Sequence, residues 1–266
     1  MIRTPQERER TRATIASMSR KLMLSSRVVE LCESEATPRQ EEFLLKVLSE
    51  EIDRRERGRK ARLLNRAGFP TFKSFEDYDF SEIRFPPTLS IEELLRTDFI
   101  PEKKNLVLYG GVGTGKTHMA IALGIAACEK GLSVRFLTVT ELVLKLTEAY
   151  KQGTLERLIR ELKQLDLLIL DEWGYVPVDR EGSQLLFRII ADSYESKSLI
   201  LTTNLEFSKW GGIFTDEQMA AAMIDRLVHH GHLLLFEAKS YRMTHALMRQ
   251  PGPGKLKPKT TVEAGS

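Results

Sequence analysis

Eight consecutive residues, Gly110-Gly111-Val112-Gly113-Thr114-Gly115-Lys116-Thr117, are those best equipped to do chemistry in this chain. They fit the pattern G-x-x-x-x-G-K-[ST], in which a glycine-rich turn curls backbone N–H groups around phosphate oxygens. Lys116 is expected to reach the β- and γ-phosphates of a nucleotide, and Thr117 to set its hydroxyl on Mg2+. His118 completes the nucleotide-binding segment 110–118. The bland alternative is a glycine-rich turn with a stray lysine, and the flanks argue against it. Asn105-Leu-Val-Leu-Tyr109 before the turn reads as a short apolar strand, and 118–130 after it reads as a helix.

A pair of carboxylates forms the second set. Leu165-Asp-Leu-Leu-Ile-Leu-Asp171-Glu172 is an apolar run that ends in two adjacent acids. Such a run suits a strand of a parallel sheet buried on both faces, and its carboxyl end lies where open α/β sheets bind ligands. Asp171 is then the Mg2+ ligand, directly or through water, and Glu172 the base that orients and activates a water against the γ-phosphate. Leu199-Ile-Leu-Thr-Thr-Asn204 ends a third buried strand in polar groups, and Asn204 could reach the attacking water or the γ-phosphate. Asn is also a common turn former. Asp225-Arg226-Leu227 lies on an otherwise apolar helix. A pair of that kind is usually a surface ion pair of little worth. In a nucleotide hydrolase Arg226 could instead stabilise γ-phosphate charge from a neighbouring subunit, and Arg242 could contact phosphate within its own. His229, His230 and His232 could form a metal site, but charge compensation at a helix C-terminus is the better account.

Elements that would position these groups alternate from residue 105 onward. Strands are expected at 106–109, 133–138, 167–171, 198–203 and 232–236. Helices are expected at 117–130, 140–151, 154–165, 183–195, 216–230 and 240–248, with Thr140 and Thr154 as N-caps and Gly131 and Gly231 as helix-ending glycines. Alternation of this kind implies a three-layer α/β fold on a parallel sheet. Residues 6–66 read as helical, with a helix start at Thr37-Pro38. Residues 70–104 read as a linker packed on the core, with aromatics that could wall an adenine pocket.

Charge is unevenly spread. The 266 residues carry a net charge of +3, yet residues 1–70 hold 16 Lys/Arg against 11 Asp/Glu, and 249–266 hold 4 against 1. Basic ends around a mildly acidic middle point to a polyanionic partner bound away from the catalytic centre. Arg54, Arg55, Arg57, Arg59, Lys60, Arg62 and Arg66 crowd one helix and are the expected DNA phosphate contacts; a solvated helix face is the plainer reading. No apolar stretch suits a membrane span or a signal peptide. Cys32 and Cys128 lack metal-ligand spacing and read as buried free thiols, which suits a reducing cytoplasm.

With these residues together, the chain resembles an AAA+ ATPase, and more narrowly the IstB-type helper ATPases of bacterial insertion-sequence transposition, with DnaC-type helicase loaders as neighbours. The carriers are 110–118, Leu167-Leu-Ile-Leu-Asp-Glu-Trp-Gly-Tyr175, Leu201-Thr-Thr-Asn204, Trp210-Gly, Asp225-Arg-Leu-Val-His-His230, Ser240-Tyr-Arg242 and Leu63-Leu-Asn-Arg-Ala-Gly-Phe-Pro70. The resemblance implies a P-loop NTPase core at 105–248 after a small all-helical domain at 1–69; 70–104 reads as the linker between them, and the Pro-, Gly-, Lys- and Thr-rich composition of 249–266 reads as a basic disordered tail. It also implies that Asn204 is the sensor-1 residue, Arg226 an arginine finger acting on a neighbour, and Arg242 the sensor-2 arginine. ATP would sit at interfaces of a homo-oligomer on duplex DNA, and a transposase would be the protein partner. Too few residues follow 232–236 for a complete helical lid, which leaves Arg242 less firmly assigned. The alternatives are a helicase loader, for which a replicative helicase is the partner, a small-molecule kinase, and a DNA-binding scaffold with structural nucleotide. Adjacent Asp171 and Glu172 suit water activation better than transfer to a small acceptor.

Overall fold

In a computed structural model, which describes residues 4–174, 179–212, 217–237 and 241, the expected alternation is present. The strands are β1 (Ile83–Arg84), β2 (Asn105–Gly110), β3 (Val134–Thr138), β4 (Leu167–Trp173), β5 (Ser198–Thr203) and β6 (Gly231–Phe236). The α-helices are α1 (Pro5–Lys21), α2 (Ser26–Glu35), α3 (Pro38–Ala67), α4 (Ile91–Leu95), α5 (Lys116–Glu129), α6 (Val139–Lys151), α7 (Leu155–Lys163), α8 (Arg180–Ser193) and α9 (Glu217–His229), and a 3-10 turn spans Phe207–Gly212. The sheet order is β1-β6-β2-β5-β4-β3. β6, β2, β5, β4 and β3 run parallel, and the two-residue β1 adds an antiparallel edge.

Period-two alternation divides each central strand between two apolar layers. Leu168, Leu170, Leu199 and Leu201 face a layer with residues of α6, α7, α8 and α9. Leu106, Leu108, Leu167, Ile169 and Ile200 face the other, which includes most of α5. That both faces are covered explains why these strands read as continuous apolar runs.

Helices α1 and α3 pack around a smaller cluster of Ile15, Leu22, Cys32 and Leu48. Its polar centre is Glu41, 1% exposed, which accepts from Arg8 Nε at 3.0 Å and Arg12 Nε at 2.7 Å. The two guanidiniums hold this carboxyl below the ordinary carboxylate range against the opposing effect of burial. The other end of α3 reaches the α/β layers. Leu63 and Leu64 pack on the α5 side of the sheet, Arg59 donates to Gly131 O at 3.0 Å, and Arg135 of β3 donates to Arg66 O at 2.9 Å.

Local details differ from expectation in ways the capping chemistry explains. The N-cap of α6 is Thr138, not Thr140: Thr138 Oγ1 accepts from Glu141 N at 3.1 Å, and the Glu141 carboxylate accepts from Thr138 N at 2.9 Å. Thr154 does precede α7 but makes no side-chain cap, its hydroxyl instead donating to Ala149 O at 3.4 Å. Gly131 has φ of 83° and follows α5 as expected, whereas Gly231 opens β6, where a Cβ would lie 2.4 Å from Leu227 O. Cys32 and Cys128 are buried free thiols. Burial pushes the Cys128 thiol up to about 11, so it stays protonated near neutrality. The expected helix at 240–248 and the tail at 249–266 lie outside the described residues, apart from Tyr241.

Candidate nucleotide site

The candidate site is built on three neighbouring strands of one sheet. β5 lies between β2 and β4, so the carboxyl ends of all three open on the same edge. β2 delivers the glycine-rich loop, β4 delivers Asp171 and Glu172, and β5 delivers Asn204.

Close approach and reversed φ explain the glycines at the loop's two ends. At Gly110 a Cβ would lie 2.4 Å from the carbonyl oxygen of Phe236 on β6. Gly115, the N-cap of α5, has φ of 97°. The first turn of α5 then directs backbone N–H groups and the positive end of its dipole at the loop. Lys116 is 8% exposed, and its ammonium donates to Gly110 O at 2.8 Å and Gly111 O at 2.6 Å, which holds its charge over the loop. Val112 and Gly111 are exposed, and Thr114 Oγ1 closes the turn on Gly111 O at 2.9 Å.

Thr117 and Asp171, 54 residues apart, meet here. Thr117 Oγ1 donates to Asp171 Oδ1 at 3.0 Å, and Asp171 is 5% exposed. Two hard oxygen ligands side by side at a phosphate loop fit the donor preference of Mg2+. Glu172 is exposed beside them with φ of 62°, a left-handed conformation that costs a residue with a Cβ energy and tends to gather at functional sites. Asn204 follows β5 and is exposed.

The remaining sequence candidates are placed differently. Arg226 donates to Ala222 O at 2.8 Å, and its guanidinium lies 5.4 Å from the ring centroid of Phe187 on α8. Arg242 lies outside the described residues, but its neighbour Tyr241 donates its backbone N–H to Gly113 O at 3.0 Å. The three histidines do not converge. His229 Nδ1 pairs with Tyr194 OH at 3.0 Å, His230 Nε2 with Glu195 at 2.9 Å, and His232 Nδ1 with Thr88 Oγ1 at 3.1 Å. Among the described residues no group of His, Cys, Asp and Glu side chains is arranged to hold a metal. Arg54, Arg55, Arg57, Arg59, Lys60, Arg62 and Arg66 are all exposed on α3. Part of their charge is already engaged, since Glu51 pairs with Arg54 at 3.9 Å and Arg55 at 2.8 Å.

Two contacts have no separate sequence signal. The segment before β2 packs on the loop: Tyr78 OH donates to Gly115 O at 3.3 Å, and His118 Nε2 donates to Ser74 O at 2.7 Å. Burial raises the Tyr78 phenol and keeps it a hydrogen-bond donor. Thr202, 2% exposed, donates to Asp171 Oδ1 and accepts from Glu172 N at 3.1 Å. The only trace of it in the sequence is a pair of threonines closing an apolar run.

The chain is 39% identical over 206 residues to an ATP-binding protein of insertion sequence IS21 from Pseudomonas aeruginosa, covering 76% of each chain. It is 35% identical over 209 residues to an ATP-binding protein of insertion sequence IS5376 from Geobacillus stearothermophilus, covering 79% of this chain and 83% of that one. Among solved structures, AMPPCP-bound DnaA from Aquifex aeolicus superposes with a TM-score of 0.50 at 21% identity, over 65% of this chain and 52% of that one, a likeness of fold alone. The model of the IstB-like ATP binding protein family matches residues 21–248, and the chain belongs to that family.

Proposed function

We propose that this protein is an Mg2+-dependent ATPase that binds duplex DNA, assembles on it with further copies of itself, bends or remodels it, and recruits or activates a transposase, with hydrolysis governing assembly. The observation that carries the reading is the 3.0 Å contact between Thr117 and Asp171, beside Glu172 and below a glycine loop that carries Lys116. Membership of a family of insertion-sequence ATP-binding proteins supports the biological setting.

In this reading the loop N–H groups and the α5 terminus bind the phosphates, and Lys116 exchanges its carbonyl partners for β- and γ-phosphate oxygens. Thr117 and Asp171 would hold Mg2+, which supplies charge neutralisation on the phosphates. Glu172 takes a proton from the attacking water and Asn204 orients it. Arg226 acts on the γ-phosphate of a neighbouring copy, Arg242 acts within its own, and the segment around Tyr78 walls the base pocket. The α3 cations bind DNA phosphates without reading sequence.

Substituting Glu172→Gln tests the reading. The variant is expected to bind ATP as the wild type does and to hydrolyse it about 100-fold or more slowly, the scale of a general base. Wild-type turnover would remove Glu172 from that role.

A further inference from the structure

The two acids sit on an irregularity in the sheet. β4 and β5 pair in register as far as Leu170 opposite Leu201, and pairing resumes at Trp173 opposite Thr203. Asp171 and Glu172 therefore face Thr202 alone, a bulge of one extra residue. Its effect shows in the burial pattern. Leu168, Leu170 and Trp173 lie in one apolar cluster, although a spacing of three would put Trp173 and Leu170 on opposite faces of a regular strand. The bulge thus turns Asp171 toward Thr117, leaves Glu172 exposed at φ of 62°, and returns Trp173 to the core.

A bulge leaves backbone groups of the ladder without their usual partners, and two side chains of β5 take them up. Thr203 Oγ1 donates to Trp173 O at 2.9 Å. Thr202 Oγ1 accepts from Glu172 N at 3.1 Å and donates to Asp171 Oδ1. The directions are forced: an N–H can only donate, a carboxylate can only accept, and the hydroxyl has one proton. One buried hydroxyl therefore fixes the backbone that aims Glu172 and the carboxylate that meets Thr117.

We infer that Thr202 is a positioning residue for hydrolysis, setting the direction of the general base and the geometry of the Mg2+-binding carboxylate together. It acts through its two hydrogen-bond partners, Asp171 and Glu172. The inference rests on the hydrolase reading above. Valine keeps the shape of threonine and removes both hydrogen bonds, whereas serine keeps both.

The experiment compares wild type, Thr202→Val and Thr202→Ser in three measurements: steady-state ATP hydrolysis, the Mg2+ concentration that half-saturates it, and binding of a fluorescent ATP analogue with and without Mg2+. Thr202→Val is expected to lower kcat about 10- to 100-fold and to raise the half-saturating Mg2+, the range seen when groups behind metal ligands are removed. Binding of the analogue without Mg2+ should stay unchanged, and Thr202→Ser should return kcat to within about threefold of wild type, because it keeps both hydrogen bonds. Wild-type kcat and Mg2+ dependence in Thr202→Val would overturn the inference alone. So would a fall in kcat with unchanged Mg2+ dependence that serine does not restore. If Thr202→Val fails to fold, the serine variant decides: strongly impaired turnover in a folded Thr202→Ser protein contradicts the inference, and near-normal turnover supports it. A wild type that turns over no ATP with Mg2+ would overturn the hydrolase reading and this inference with it.

Discussion

Lys116 and Glu172 are held in ways that an amino-acid sequence conveys unequally. The position of Lys116 follows from chain geometry: it begins α5 immediately after a glycine N-cap, and its ammonium bridges two loop carbonyls. Replacing those carbonyls with phosphate oxygens makes charge-assisted bonds worth about 1.5–3 kcal/mol. Lys116→Ala is therefore expected to weaken ATP binding about 10- to 100-fold, measured by titration with a fluorescent analogue, and to abolish nucleotide-dependent assembly. Unchanged affinity would contradict the loop assignment. The residue types and order of Gly110 to Thr117, and the acids at 171 and 172, were legible in the sequence because a motif with fixed spacing encodes its own local geometry. The contact of Thr117 with Asp171 was foreseeable once Thr117 was placed at the start of the helix after β2 and Asp171 at the carboxyl end of a strand in the same sheet. The hydrogen bonds of Thr202 were not, because they depend on a bulge that no residue type announces. Tyr78 was visible only as one aromatic among several between residues 70 and 104.

Strands and helices were the most legible elements, since buried parallel strands are continuous apolar runs and the helices between them are periodic. β1 escaped notice: it is two residues long, antiparallel and followed by Pro86-Pro87. Two glycines show opposite reasons for the residue. At Gly110 a Cβ would meet both the carbonyl and the Cβ of Phe236, at 2.4 and 2.6 Å. Gly110→Ala should push β6 from β2 and cost about 1–3 kcal/mol, read as a lowered urea midpoint. Gly58 lies mid-helix in α3, between the part packed in the helical cluster and the part packed on the sheet, and a Cβ there would touch only Arg62 Nη1, at an ordinary 3.5 Å. Gly58→Ala should stabilise by about 0.5–1 kcal/mol. A destabilised Gly58→Ala would mean that α3 needs a bend there.

The whole molecule joins a basic helical region to a nucleotide site through one long helix. α3 carries the exposed arginines, packs against α1 at one end, and at the other is tied to the loop after α5 by Arg59, which donates to Gly131 O, and to β3 by Arg135, which donates to Arg66 O. The charge split of the sequence anticipated where the cations lie, but not that Arg59 also caps a loop of the α/β layers. Arg226, on α9, belongs to this scale because its proposed partner is another copy of the chain. In mixtures of wild-type and Arg226→Ala protein, hydrolysis should fall in proportion to the interfaces that lose the arginine, whereas each Arg226→Ala subunit should still bind ATP. A uniform Arg226→Ala protein with full activity would exclude the role and leave the wild-type Arg226 guanidinium as a packing partner of Phe187 alone.

Whether ATP at this site governs assembly on DNA can be read from sedimentation of the purified protein with duplex DNA. Large DNA-bound assemblies are expected with ATP and not with ADP or without nucleotide, with DNA binding that falls steeply as salt rises. Sedimentation as a monomer indifferent to DNA under all three conditions would contradict that expectation and return the α3 arginines to a solvated helix face.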